Sequence, residues 1–176
     1  MRANDREGTV VLVDGCDRTV GTCDKMGAHR EALLHRAVSV FIFNRKGEWL
    51  LQRRHRDKYH SGGLWTNACC THPLPGELPS EAARRCLERE LGLESPLDKL
   101  FDFVYRAEVG NGLIEYEFDH VFVGVSDALP RLNPGEAEAY RYAPFGTIRT
   151  EMTRFPETYT VWFGKIYDRV QYLRNW

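Results

Sequence analysis

At 176 residues, 43% of them hydrophobic and 28% charged, the chain is long enough to bury one sizeable core and too short to favour two domains. Twenty-four basic residues against 25 acidic ones leave a formal charge of −1, which argues against a nucleic-acid surface or a polybasic membrane face, so an anionic ligand must be met by local cations. No apolar run reaches the roughly 18 residues of a membrane span, and Met1 to Glu7 is polar where a signal peptide would be apolar, so a cytoplasmic location is expected.

Thr9 to Val13, the Asp14-Gly15 turn and Arg18 to Thr22 read as a hairpin, within an N-terminal extension over residues 1–24. His35 to Phe43 is rich in β-branched and aromatic residues and predicts a strand. Asn44-Arg45-Lys46-Gly47 is a turn, and Glu48 to Arg54 the returning strand. Residues 54–63 carry charge, two histidines and a Gly-Gly pair, which predicts an irregular loop. Pro79 at a first helical position, Glu81 in the first turn, Ala83, Leu87 and Leu91 at helical spacing, and Gly92 as a stop define a short helix. Leu100 to Val109 and Leu113 to Val125 flank Gly110-Asn111-Gly112 as a long hairpin. Ala139 to Ala143 predicts a further strand, Pro144 opens a short helix, and Pro156 precedes a final amphipathic helix ending near Arg174, in a C-terminal stretch over 150–176. The order gives one α+β domain over residues 1–176, in which helices cover a mixed sheet.

Strand alternation sends Glu115, Glu117 and Asp119 to one face, and Ile114, Tyr116, Phe118 and Phe122 to the other, which is expected to be the packed one. Like charges so close repel unless a cation or a proton sits between them. A hairpin symmetric about Asn111 sets Tyr105 opposite Glu117, with Cβ atoms about 5 Å apart. A solvated Glu-x-Glu face is the plainer reading, and the histidines weigh against it. His29, His35 and His72 lie on segments that a compact sheet can bring together, and three imidazoles with two carboxylates suit a divalent metal: manganese, zinc or magnesium.

Trp65-Thr66-Asn67-Ala68-Cys69-Cys70-Thr71-His72-Pro73 places a thiol two residues before an imidazole. Together with His29, His35, Glu115 and Glu117, this segment resembles the type 1 isopentenyl-diphosphate isomerases, which are built on the Nudix fold. The resemblance runs from about Gly21 to Trp162. It implies that His29, His35, His72, Glu115 and Glu117 bind one divalent ion, manganese or zinc, with Cys70 grouped beside these metal residues. It implies a magnesium ion shared by Glu90 and the diphosphate of an isoprenoid substrate. Cys70 and Glu117 would move protons on opposite faces of that substrate, either one as acid and the other as base. Tyr105 would hydrogen-bond the acid, Trp162 would lie against a cationic carbon, and Lys25, Arg54 and Lys58 would meet the diphosphate. For Trp162, and for the three cations, a core position or a solvated surface is the plainer alternative.

The helix from Pro79 resembles a degenerate Nudix box. That box, Arg-Glu-x-x-Glu-Glu-x-Gly, needs carboxylates three and four residues apart to converge on hydrolytic metals. Here the run is Arg85-Cys86-Leu87-Glu88-Arg89-Glu90-Leu91-Gly92. Cys86 and Arg89 occupy two acidic positions, Glu88 points elsewhere, and Glu90 remains. A lone carboxylate can share magnesium with a phosphate, but it cannot rebuild the hydrolase cluster. The family also has a second arginine directly after Arg85, where Cys86 stands, so Arg85 or Arg84 replaces it or the site has one cation fewer.

Five cysteines, an odd count, fit reduced thiols. Cys16, Cys23 and Cys86 read as core fillers or surface thiols, and Cys69 as packing beside Cys70. The expected activity is the interconversion of isopentenyl and dimethylallyl diphosphates through a species close to a tertiary carbocation. That demands a dry pocket, an acid, a base and aromatic faces. A nucleoside-diphosphate hydrolase and a non-catalytic, metal-stabilised module are the competing classes.

Overall fold

A computed structural model describes residues 8–174. The first seven residues of the expected N-terminal extension and the last two of the C-terminal stretch lie outside the described residues. The domain is organised around strand β3 (His35–Phe43), whose β-branched and aromatic residues are buried on both faces. It pairs antiparallel with β1 (Thr9–Val13), β4 (Trp49–Arg54) and β6 (Cys69–Thr71), and parallel with β8 (Leu113–Val125). β2 (Thr19–Asp24) pairs with β1, β5 (Trp65–Thr66) and β9 (Ala137–Ala143) with β4, and β7 (Asp98–Gly110) with β8, giving a nine-stranded mixed sheet. The N-terminal hairpin is continuous with that sheet through Leu12 and His35.

The helices are α1 (Lys25–Glu31), α2 (Pro79–Leu91), α3 (Phe145–Arg154) and α4 (Val161–Leu173). Alternation along β3 divides the core. Val38, Val40 and Ile42 pack with Leu87 and Leu91 of α2, while Phe41 and Phe43 pack with Phe163, Ile166 and Val170 of α4. This is the expected α+β arrangement of helices over a mixed sheet. Among the described residues no helix is long and apolar enough to cross a membrane.

Local chemistry fixes the helix ends. Pro79 starts α2 and the Glu81 carboxylate accepts from Leu78 N at 3.0 Å. Gly92 stops it at φ +58°, where a Cβ would stand 3.1 Å from Arg131. α1 lies outside the predicted elements. Its seven residues, with a glycine among them, are too few to show a period, and it is capped by Asp24, which accepts from Gly27 N at 2.8 Å. β5 and β6 are likewise too short to alternate legibly. The C-terminal stretch is divided between the end of α3, a 3-10 turn (Pro156–Thr158) and α4. Thr160 N donates to Trp65 O at 2.9 Å and pins the start of α4 to β5.

One expectation is reversed. On β8 it is the Glu115, Glu117 and Asp119 face that is buried, while Ile114, Tyr116 and Phe118 are half-buried. The reason is reach: the α2 cluster covers the apolar face at Phe122, and the carboxylates turn inward to meet the histidines.

Phe163 is fully buried, stacked on Tyr159 and Tyr167 at 5.2 and 5.7 Å and edge-on to Trp49. Phe163→Ala should therefore destabilise the domain by about 3–5 kcal/mol in urea unfolding. Lys165→Ala, exposed on the same helix, should leave the midpoint unchanged.

Candidate active site

The parallel register sets His35 beside Glu117. His35 Nδ1 bonds Leu33 O at 2.8 Å, which turns Nε2 toward Glu115 and Glu117 at 3.9 and 3.7 Å. α1 delivers His29, whose Nε2 lies 3.3 Å from Glu115 Oε2, and the residue after β6 delivers His72, whose Nε2 lies 2.9 Å from Glu117 Oε1. One ligand atom from each of these five residues lies within 4.8 Å of all the others. Both ring nitrogens of His29, Nε2 of His35 and Oε2 of Glu115 are buried without a hydrogen-bond partner. Buried polar atoms converging in this way are compensated by a cation, and three imidazoles with two carboxylates fit a divalent metal.

Electrostatics follow from burial and pairing. Burial pushes the His72 imidazole below its usual range. Burial also opposes charge on His35, but the hydrogen bond and charge of Glu117 prevail and move it up. For Glu115 burial is again opposed, and contacts with His29 and His60 hold the carboxyl well below the usual range.

Beside this group opens a cavity of about 450 Å³, lined by Cys70, Glu117, Tyr105, Trp162 and Glu90 among others. Tyr105 pairs across the hairpin with Glu117, as the symmetric turn predicts, and its hydroxyl donates to Oε2 at 2.6 Å. Burial and the charge of Glu117 push that phenol well up. Burial and the nearby Asp119 carboxylate likewise push the Cys70 thiol well up. Its sulfur contacts Ser39 and Asn67, so Cys70 stands outside the five-residue metal group. Glu90 stands outside it too, accepting from Gln52 Nε2 at 2.9 Å on the α2 wall.

The three predicted cations all line the cavity. The Arg54 guanidinium stands 5.2 Å over the Trp162 indole, and Lys25 Nζ lies 5.0 Å over the Tyr59 ring. Burial, then the charge of Lys58, lowers the Lys25 ammonium. Lys58 is ion-paired with Glu136, a partner that sequence reasoning did not supply. Of the two arginines weighed as replacements beside Cys86, Arg85 borders the cavity and Arg84 is exposed. Arg85 pairs with Glu77 at 2.7 Å and donates to His72 O at 3.2 Å, so it braces one histidine of the five-residue group. Cys86 and Cys69 are buried, Cys16 is exposed, and all five thiols are free.

A NUDIX domain model matches residues 33–163. Isopentenyl-diphosphate Delta-isomerase 2 of Aromatoleum aromaticum is 48% identical over 164 residues, covering 93% of this chain and 87% of that protein. The chain belongs to the isopentenyl-diphosphate Delta-isomerase family. A second member, from Pectobacterium atrosepticum, is 46% identical over 161 residues, 92% of this chain and 90% of its own. The Nudix fold is matched by the crystal structure of DR0079 from Deinococcus radiodurans, with TM-score 0.78 at 21% identity, covering 92% of this chain and 98% of that one.

In this isomerase-family chain the sequence reading missed His60. Its Nε2 lies 2.8 Å from Glu115 Oε1, and its ring stands edge-on to Trp162 at 5.8 Å. A histidine in an irregular loop carries no periodic signal. The loop that holds it is fastened from outside, where Asn111 Nδ2 donates to Tyr59 O at 3.1 Å.

Chelation of divalent metal should lower the melting temperature and re-addition should restore it, and His29→Ala should lose bound metal by elemental analysis. In metal-free protein, the lowered His72 value means that the fold favours the neutral imidazole. Its contribution is then complete above the ordinary value of 6.5 and fades as pH falls through the lower folded value. His72→Asn should accordingly flatten the loss of melting temperature between neutral and acid buffer.

Proposed function

We infer that the chain interconverts isopentenyl and dimethylallyl diphosphates. The observation that carries this is the lining of one cavity by Cys70, the Tyr105–Glu117 pair and Trp162, in a chain 48% identical to a named isomerase. A proton is added to the terminal alkene carbon and another is removed two carbons away, so one acid and one base balance the reaction. Cys70 and Glu117 are that pair, each able to give or take a proton at Sγ or at a carboxylate oxygen. The Tyr105 hydroxyl orients Glu117 Oε2. The indole of Trp162 stabilises the cationic carbon by about 0.5–2 kcal/mol. The walls of the cavity keep water from capturing that carbon.

Lys25 and Arg54 bind the diphosphate at the cavity wall, and Lys58 joins them as phosphate competes with Glu136. When bound, a manganese or zinc ion at His29, His35, His72, Glu115 and Glu117 would keep the paired carboxylates ionised, and magnesium at Glu90 would add counter-charge for the diphosphate. The substrate is then an isoprenoid diphosphate. A diphosphate hydrolase has less support, because of the carboxylates of α2 only Glu90 lines the cavity among the described residues.

NMR of the metal-loaded protein with isopentenyl diphosphate in deuterated buffer should show dimethylallyl diphosphate carrying deuterium. Cys70→Ala and Glu117→Gln should each lower the rate by about 10²–10⁴-fold. Release of phosphate without isomerisation would overturn the assignment.

A further inference from the structure

We propose that Asn67 and Ser39 are positioning residues for the Cys70 sulfur, the middle links of a buried hydrogen-bond chain running from the start of α4 to β8. The inference rests on Cys70 being the proton-transferring thiol. The links are Thr160, Thr66, Asn67, Cys70, Ser39 and Asp119, and apart from the half-buried Cys70 all are at most 2% exposed. Only Cys70 among them lines the cavity. The others reach the chemistry through the sulfur.

Hydrogen counting limits the donors in the chain, since a serine or threonine hydroxyl carries one hydrogen. Ser39 Oγ donates to Asp119 Oδ2 at 2.7 Å. Ser39 Oγ also lies 3.5 Å from Cys70 Sγ, a contact in which either atom can be the donor. At the other end, Thr66 Oγ1 donates to Asn67 Oδ1 at 2.9 Å, so at its 2.9 Å contact with Thr160 the donor is Thr160. The Asn67 amide meets Cys70 Sγ with both its atoms, Nδ2 at 3.1 Å and Oδ1 at 3.4 Å. The two hydrogens of Nδ2 are shared between the sulfur and the paired carbonyls Val40 O and Cys69 O, at 3.0 and 2.9 Å, which anchors the amide to the backbone of β3 and β6.

The sulfur is therefore held between the Asn67 amide on one side and the Ser39 hydroxyl on the other. A cysteine side chain has three staggered positions, and these two contacts select one of them. Pairing of β3 with β6 sets Ser39 directly across from Cys70, so the selection is built into strand register. Thr160 precedes Trp162 by two residues, so one chain of contacts sets both the thiol and the start of the helix that carries the indole. Misplacing a reacting atom by about 1 Å can cost a hundredfold in rate, which is why such a chain matters.

Steady-state kinetics on the full, metal-loaded chain test this. Ser39→Ala should lower kcat about tenfold and Thr66→Val about threefold, with KM for isopentenyl diphosphate within about twofold of wild type. Thr66→Ser keeps the hydroxyl and should regain the wild-type kcat, with melting temperature and metal content matching Thr66→Val. Unchanged kcat in Ser39→Ala and Thr66→Val, a loss confined to KM, or Thr66→Ser as slow as Thr66→Val would overturn the inference. If Ser39→Ala does not fold, the Thr66 pair decides alone. A wild-type chain without isomerisation overturns the functional assignment and this inference together, whereas an active wild type with unaffected variants overturns this inference only.

Discussion

Glu115 and Glu117 project side by side into a buried space, and the electrostatics of holding them there governs the rest of the site. Two carboxylates on one strand face repel, and burial strengthens that repulsion by lowering the local dielectric. The chain answers with imidazoles from separate segments: His29 from α1, His35 from β3, His60 from the cavity loop and His72 from beyond β6. Each of these segments must arrive together for any one to be tolerable. That requirement explains why a short N-terminal hairpin and a seven-residue helix are built into the sheet edge at all.

The site is built against the main packing, since Tyr105 and Trp162 belong to the same buried cluster as Phe163. Both faces of β3 are filled, one against α2 and one against α4, and the histidine cluster sits at the strand's beginning, where β8 runs parallel beside it. α4 serves both purposes. Phe163, Ile166 and Trp162 all bury in the core, and Trp162 also lines the cavity, so a helix held by apolar contact carries an aromatic wall of that cavity.

The fold was largely legible, because long elements carry their own period. Register was legible too: the hairpin is symmetric about Asn111 from Glu108 inward, and that symmetry alone sets Tyr105 against Glu117. The polarity of β8 was not legible. Aromatic residues ordinarily mark the packed face, and here the carboxylates occupy it because histidines distant in sequence receive them. The metal group could be read as residue types; His60 and the Lys58–Glu136 pair could not, since loop contacts leave no spacing to detect.

The hydrogen bond from Asn111 to Tyr59 O gives the far end of the β7–β8 hairpin an unexpected part. Hairpin tips commonly accept insertions without penalty. Here the tip props the loop whose Tyr59 and His60 line the cavity, so exchanging or lengthening this turn would disturb a cavity wall as well as surface shape.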